Sequence, residues 1–250
     1  MVGRFIVPVI LAGTCLHATV IGTPQAEFRQ TYSFSANGRV VLQNLYGDVR
    51  ITTWDRDEVL VQAIKKSHDP RQLRDASIIV DSSGDVLSIR TQYAGADADR
   101  PASVEYRIVV PRTATLEDIK LINGGLSISG VAGSVKASSV NGNIKAEKLE
   151  GQAELSTVNG QLEAGFNRVD PANPISLTSV NGPIKLSIPA SSNAQLTAHN
   201  RSGGIDSDFG RVSHASTGHR LRTTVNHGGT QIHLTNTNGG IAIRSVCTHS

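Results

Sequence analysis

A tripeptide, Val-Asn-Gly, occurs three times in the second half of this chain and constrains its fold more than any other feature. The three copies begin at Val140, Val158 and Val180, and related Asn-Gly pairs begin at Asn123 and Asn238. Consecutive asparagines of the series are first 18, again 18 and then 22 residues apart. Self-similarity at a period near 20 residues is typical of repeat architectures, in which one small unit stacks on the next.

Short runs of alternating apolar and polar residues flank each Asn-Gly pair. The intervening residues are Ser, Thr, Lys, Glu and Gln, so the pattern predicts strands with one apolar face and one wet face. The apolar positions that match after the corners are Leu126 and Ile128, Ile144 and Ala146, and Leu162 and Ala164. The positions that match before the corners are Val135, Ala137 and Val140, then Ala153, Leu155 and Val158, then Ile175, Leu177 and Val180.

These repeats predict an all-β fold, a β-solenoid (parallel β-helix-like) built from rungs with Asn-Gly corners. A unit this small cannot bury its apolar face alone, whereas stacked units form a continuous core with rungs about 4.8 Å apart. The corner asparagines would then lie above one another and hydrogen-bond along the stack. Further corners are expected at Gly133 and Gly151. The predicted structural corners are Asn141, Gly142, Asn159, Gly160, Asn181 and Gly182.

A β-sandwich with Asn-Gly hairpins is the alternative, because an Asn-Gly turn normally joins antiparallel strands. The strict 18-residue recurrence with matched core positions favours the solenoid. If the corner at Gly142 adopts the left-handed backbone region, replacing it with valine should cost about 1–2 kcal/mol.

The chain divides into three predicted parts. Residues 1–22 form a signal peptide, 27–112 a less regular β-rich part of the solenoid, and 113–250 the regular repeats. Asp69-Pro70 predicts an N-cap followed by one short helix, residues 70–76. Residues 94–102 are predicted to form a flexible loop, and residues 209–222 to interrupt the stack of rungs.

The predicted signal has a positive residue, Arg4, and an apolar segment over residues 5–16 that is too short to span a bilayer as a helix. The chain is therefore expected to be exported, to the periplasm, the cell surface or the medium, without a transmembrane helix in its mature form. Lipidation at Cys15 fits the preceding residues poorly. Removal of the signal leaves Cys247 alone, so no internal disulfide is expected.

The composition bears on the kind of core and on the expected partner. The chain has 250 residues, 24 glycines, 4% aromatic residues and a net charge of +3. Few aromatic residues suit thin solenoid rungs filled by aliphatic side chains. The positive charges are dispersed without interleaved aromatic residues, so nucleic acid is not an expected partner.

Neither the glutamates nor the histidines follow the spacing of a catalytic or metal-binding site. Glutamates 147, 150, 154 and 163 stand at different offsets from their corners, so they should not form one acid column. Histidines 199, 214, 219, 227 and 233 lack the short spacing of a zinc site, although His227 and His233 could meet on neighbouring strands. No catalytic residue, metal or cofactor is predicted.

Several segments resemble the "putative adhesin" family, a bacterial domain of unknown function built as a β-solenoid. They include 44–54, 106–111, the Val-Asn-Gly corners, 188–190, 202–209 and 238–241, and they cover nearly all of the chain after the signal. The resemblance implies an exported envelope or surface protein. It supplies no catalytic residues.

The sequence thus favours an exported, non-enzymatic, adhesin-like binding or scaffold protein that contacts an envelope glycan or protein through its solenoid faces. Contact with an anionic ligand is predicted at Arg201, Arg211, Arg220 and Arg222. The alternatives are a polysaccharide-active β-helix enzyme, which needs two carboxylates in a groove, and a structural protein that self-assembles through its rung ends.

Overall fold

A computed structural model describes residues 25–94, 101–210, 213–215 and 218–247. Over these ranges the chain consists of 21 strands and one short helix, α1 (Pro70–Asp75). The strands of the first half are β1 (Gln25–Ser33), β2 (Arg39–Tyr46), β3 (Val49–Trp54), β4 (Glu58–Lys66), β5 (Ala76–Ser83), β6 (Val86–Tyr93), β7 (Ser103–Pro111), β8 (Thr115–Asn123) and β9 (Leu126–Ser129). Those of the repeats are β10 (Val135–Asn141), β11 (Ile144–Leu149), β12 (Ala153–Asn159), β13 (Leu162–Phe166), β14 (Ile175–Asn181) and β15 (Ile184–Pro189). The last strands are β16 (Ala194–Ser202), β17 (Ile205–Ser207), β18 (Ser213–Ala215), β19 (Gly218–Val225), β20 (Thr230–Asn238) and β21 (Ile241–Val246).

The strands form two sheets, and each rung contributes one strand to each sheet across an Asn-Gly type corner. Sheet 1 has 10 strands in the order β1-β4-β7-β3-β9-β11-β13-β15-β21-β17. Sheet 2 has 11 strands in the order β18-β19-β16-β20-β14-β12-β10-β8-β2-β6-β5. Each rung therefore has two strands, one in each sheet.

The predicted solenoid is confirmed by the pairing of the repeats. Strand β10 is parallel to both β8 and β12, with Asn141 in register with Asn123 on one side and Asn159 on the other. On sheet 1, Ile144 is in register with Leu126 and Leu162. The Asn-Gly corners therefore join strands of different sheets rather than closing antiparallel hairpins, which excludes the sandwich.

Rungs do not follow the chain order at the two ends of the stack. Strand β7 lies outside β3, and β6 lies outside β2, so a later rung covers an earlier one. At the other end, β20 and β21 are inserted between the rung of β14 and β15 and the rung of β16 and β17. The sequence gives no indication of either insertion.

Antiparallel strands cover both ends. Strand β1 pairs with β4, β4 pairs with β7, and β5 pairs with β6, all antiparallel. At the far end β19 pairs antiparallel with β16, and β18 with β19. The segment 209–222, predicted to interrupt the stack, contains β18 and the first part of β19, which extend sheet 2 by antiparallel pairing and do not form a parallel rung.

The core is a thin aliphatic layer between the sheets, in which equivalent residues of successive rungs stack. Ile144, Leu155, Leu162 and Leu177 are each at most 1% exposed. The aliphatic side chains of the repeats fill the narrow space between the two sheets.

The prediction that the three repeat valines face the core was wrong. Val140, Val158 and Val180 are exposed by 36, 39 and 38%. The buried neighbours are Ser139, Thr157 and Ser179. Their hydroxyls donate to carbonyls of corner glycines, for example Thr157 Oγ1 to Gly142 O at 3.1 Å, which makes a buried polar position tolerable.

Close approach rather than a left-handed backbone requires glycine at position 142. Gly142 is not among the positive-φ residues, whereas Gly160 has φ +152°. A Cβ on Gly142 would overlap the carbonyl oxygen of Gly124 in the adjacent rung, and a Cβ on Gly160 would overlap Gly142 O. Gly142→Val is therefore expected to destabilise the protein through steric overlap with the adjacent rung, and not through a left-handed backbone.

The helix begins and ends close to the predicted residues. The Asp69 side chain accepts a hydrogen bond from Arg71 N at 2.8 Å, and Pro70 occupies the first turn. The predicted signal, and residues 95–100 of the predicted loop, lie outside the described residues.

Candidate binding surface

An exposed apolar column runs across the outer face of sheet 2, perpendicular to its strands. Its members each stand one residue before a corner, and the register of the flanking residues aligns them. They are exposed by 36–42% and account for five of the seven exposed large hydrophobic residues in the part of the chain that the structure describes. We name this set the apolar column: Leu45, Ile122, Val140, Val158 and Val180. Five adjacent strands at a spacing of ~4.8 Å give it a length of roughly 19 Å.

A ladder of asparagine amides borders the apolar column on the corner side. Asn141 Nδ2 donates to Asn123 Oδ1 at 3.0 Å, and Asn159 Nδ2 donates to Asn141 Oδ1 at 2.8 Å. The series continues through Asn181 and Asn238, with distances of 2.9 Å. The predicted stacking of corner asparagines is thus confirmed. Each amide keeps a second N–H and a second oxygen lone pair for another partner.

A column of hydroxyl groups borders the apolar column on its other side. Ser138, Ser156, Thr178 and Thr235 are in register on adjacent strands and point outward. On β10, β12 and β14 the outer face therefore presents three parallel columns, of amides, of apolar groups and of hydroxyls. Such a surface can contact apolar and hydrogen-bonding groups of one ligand at the same time.

The apolar column ends in a basic area at the C-terminal end of sheet 2. Arg201 follows Asn200, which is in register with Asn236, so Arg201 continues the column. Arg220 lies opposite His199 and Arg222 opposite Thr197 on the antiparallel pair of β16 and β19. Three of the four predicted arginines are thus brought together on one face. The fourth, Arg211, lies outside the described residues.

This basic area has no carboxylate of its own. Strands β16, β19 and β20 contain no Asp or Glu. His233 lies on the outer face of β20, in register with Thr197. Arg201 and Arg222 form no ion pair with any residue that the structure describes. Arg201 and Arg222 therefore carry positive charge without an ion-pair partner among the described residues, which suits an anionic ligand.

Each of the four glutamates considered as acid catalysts forms a salt bridge with a lysine or an arginine. Lys145 Nζ lies 2.9 Å from Glu147, and Lys185 Nζ lies 2.9 Å from Glu163. Glu150 pairs with Arg112 and Glu154 with Lys136. The hydrogen bond from Lys145 to Glu147 raises the pKa of the lysine. No two of these carboxylates are in register with each other. Glu147 and Glu163 line one surface depression, where each is paired with a lysine.

The histidines do not converge either. His199 and His233 lie on strands, whereas His227 lies in the turn between β19 and β20. Across the described ranges, no group of three or more His, Cys, Asp or Glu side chains is placed to hold a metal ion. The side chain of His214 lies outside the described residues. Within those ranges, too, no helix is long and apolar enough to span a membrane.

Two stacked sheets of mostly parallel strands with Asn-Gly corners define a β-solenoid with long outer faces. Residues 21–244 match the model of the Toastrack DUF4097 family, and the chain belongs to that family. The comparison with curated proteins finds no match.

Solved structures with a similar fold come from several bacteria. One is a "putative cell adhesion protein" from Clostridium sporogenes, 10% identical, with a TM-score of 0.50 over 89% of this chain and 100% of that chain. Another is a "putative adhesin" from Bacteroides fragilis, 9% identical, with a TM-score of 0.38 over 88% of this chain and 97% of that one. A third is a "putative lipid binding protein" from Parabacteroides distasonis, 9% identical, with a TM-score of 0.31 over 88% and 95%. At these identities the likeness concerns the fold alone.

The apolar column was not predicted from the sequence, because Val140 was expected to face the core. Val140 was grouped with Val135 and Ala137, although the step from 137 to 140 breaks the period of two. That break was the available signal, because a strict alternation places Ser139 inside and Val140 outside.

Proposed function

We propose that the chain is an exported, non-enzymatic, adhesin-like protein of the cell envelope or surface that binds an extended anionic glycan across the outer face of sheet 2. The observation that carries this proposal is the apolar column between the amide ladder and the hydroxyl column, ending at the basic area. The Clostridium sporogenes protein with a similar fold is named a "putative cell adhesion protein", which agrees with a binding role.

The shape of the surface favours a linear polymer over a small molecule. The three columns run in parallel and repeat the same chemistry on β10, β12 and β14. An extended polysaccharide advances by nearly the strand spacing per sugar, so successive sugars would meet equivalent groups. Sugar rings have apolar C–H faces and hydroxyl edges, which match valine side chains flanked by amides and hydroxyls.

The basic area supplies the preference for negative charge. Arg201 continues the apolar column by two strands beyond Val180, so a polymer lying on the column reaches it. Arg220 and Arg222 both lie on β19, the next strand outward. Arginine forms bidentate hydrogen bonds with carboxylates, as a glycan rich in uronic acids requires.

Two variants test the two parts of this surface separately. The first is Val140→Ser/Val158→Ser/Val180→Ser, and the second is Arg201→Ser/Arg220→Ser/Arg222→Ser. The probes are polygalacturonate and a neutral β-glucan of similar length, with affinities measured by calorimetry at low and high salt. Val246→Ser is the matched control, because Val246 is 36% exposed on sheet 1.

We expect the wild-type protein to bind polygalacturonate more tightly than the neutral glucan, and less tightly as salt rises. The valine variant should bind both polymers several-fold more weakly with the salt dependence retained. The arginine variant should lose the preference for the anionic polymer. Wild-type binding of neither polymer, or equal binding by both variants and the control, would overturn the proposal.

A further inference from the structure

Two arginines lie side by side on the outer face of sheet 1, on the opposite side of the molecule from the apolar column. Arg50 on β3 is in register with Arg107 on β7, because these parallel strands are neighbours. Both side chains are exposed. They come together only because β7 lies outside β3, so the sequence separation of 57 residues hides the pair.

The residues in register with this pair on the adjoining strands are hydrogen-bonding groups rather than counter-ions. Gln62 on β4 is in register with Arg107, and Ser127 on β9 is in register with Arg50. A row of polar groups, Gln62–Arg107–Arg50–Ser127, thus crosses four adjacent strands. Neither arginine forms an ion pair or a side-chain hydrogen bond with any described residue.

Nearby carboxylates are engaged elsewhere. Asp48 Oδ1 accepts a hydrogen bond from Gly125 N at 2.7 Å, and Glu105 pairs with Lys66 at 2.7 Å. Gly125 and Ser127 leave a surface depression beside the arginines, which Lys145 also lines. Like charges in register on neighbouring strands destabilise a sheet. Asp48 and Glu105 line the same depression, but neither forms an ion pair with Arg50 or Arg107.

We propose that Arg50 and Arg107 form an oxyanion site that binds a phosphate group, with Gln62 and Ser127 as flanking hydrogen-bond partners. Two planar guanidinium groups on adjacent strands can each donate a bidentate pair of hydrogen bonds to phosphate oxygens. Asp48 and Glu105 at the rim oppose a second negative group on their side. The site is independent of the glycan surface on sheet 2.

The phosphate could belong to a lipid headgroup or to a soluble molecule, and two probes distinguish these sources. One is inorganic pyrophosphate, measured by calorimetry and by the shift in the thermal midpoint. The other is a vesicle of phosphatidylglycerol and phosphatidylcholine, measured by co-sedimentation. The test variant is Arg50→Gln/Arg107→Gln. The control is Arg39→Gln/Lys136→Gln, which removes two cations that are already paired with Glu117 and Glu154.

We expect the test variant to bind the responding probe at least about tenfold more weakly, since charge-assisted contacts to both arginines are lost. The control should bind like the wild type. Arg50→Lys/Arg107→Lys should restore only part of the affinity, because lysine keeps the charge but loses the planar fork. The thermal midpoint of the test variant without probe should not fall, since a like-charge contact is removed.

Binding of pyrophosphate identifies a soluble phosphate ligand, and binding of vesicles alone identifies a lipid headgroup. Equal loss of binding in the test variant and the control would show general electrostatic attraction and overturn the proposal. Wild-type binding of neither probe would do the same. The variants of the sheet 2 surface should bind both probes like the wild type, so failure here leaves the glycan proposal unaffected.

Discussion

Asn159 Nδ2 donates a hydrogen bond to Asn141 Oδ1 at 2.8 Å, although the two residues are 18 positions apart in the chain. Asn159 also accepts from Asn181 Nδ2 at 2.9 Å. The corner asparagines therefore connect successive rungs through their side chains, in addition to the backbone pairing of the sheets. Each rung holds the next in register at the same point.

Removing one asparagine from the middle of this ladder should cost more than removing the last one. Asn159→Ala removes two ladder hydrogen bonds and should lower the free energy of unfolding by about 1–2 kcal/mol, because each hydrogen bond contributes about 0.5–1.5 kcal/mol. Asn238→Ala removes only the bond to Asn181 and should cost roughly half as much. Urea unfolding measures both. Asn167→Ala, at an exposed position outside the ladder, is the control, and equal costs for all three variants would contradict a role of the ladder in stability.

Replacing Gly142, at an Asn-Gly corner, with alanine should destabilise the protein far more than replacing Gly165, within β13. In Gly142→Ala the new Cβ meets the carbonyl oxygen of Gly124, a backbone atom that cannot rotate away. We expect a loss of about 1–3 kcal/mol, typical of overpacking. Gly165→Ala is the matched control, because no atom lies within 4 Å of its Cβ position. Thermal unfolding of the two variants gives the comparison, and a stable Gly142→Ala variant would show that the rungs can separate at this corner.

Much of the fold follows from local sequence. The alternation around Ile144 and Leu162 identifies strands and their buried face, and the 18-residue interval predicts which residues stack. The insertion of β20 between β14 and β16 does not follow from local sequence, because every rung carries nearly the same pattern. Contacts between whole rungs determine which rungs are neighbours in the stack. The repeat period carries no information about those contacts.

The candidate sites were predicted less well, for a related reason. The four predicted arginines are close in sequence, and β16 and β19 place the three described ones, Arg201, Arg220 and Arg222, on one face. Arg50 and Arg107 are neighbours only through the exchanged order of β3 and β7. Burial of Ser139 depends on a hydrogen bond to Gly124 O at 3.4 Å, and hydropathy alone cannot reveal such a bond.

The inner and outer apolar positions of one strand should differ strongly in their effect on stability. Leu177 is 0% exposed, whereas Val180, three residues later on β14, is 38% exposed. Leu177→Ala should lower the free energy of unfolding by about 2–5 kcal/mol, the usual cost of a cavity in a core. Val180→Ala should change it by less than about 0.5 kcal/mol. Chemical denaturation of both variants tests the assignment of faces, and a large effect of Val180→Ala would mean that the valine is buried.

The last prediction concerns a buried hydrogen-bond chain that connects three strands near the N-terminal end. Tyr106 OH lies 2.8 Å from Thr91 Oγ1, and Thr91 Oγ1 donates to Asn44 Oδ1 at 2.9 Å. Since the hydroxyl of Thr91 has one proton, Tyr106 donates to Thr91. Burial raises the pKa of Tyr106 to about 12, because the phenolate would be poorly solvated there.

This raised pKa makes stability depend on alkaline pH. The folded state holds the Tyr106 proton more tightly than the unfolded chain, in which the pKa is about 10. The contribution is therefore fully present below about pH 10 and is lost as pH rises toward about 12, at up to about 1.4 kcal/mol per pH unit. In Tyr106→Phe the unfolding free energy should be about 1 kcal/mol lower at pH 8, through the lost hydrogen bond, and should then fall less steeply between pH 10 and 12. Burial also raises the pKa of Tyr93, so some alkaline dependence should remain. Urea unfolding at a series of pH values measures the slopes, and identical slopes for the variant and the wild type would show that Tyr106 does not contribute to them.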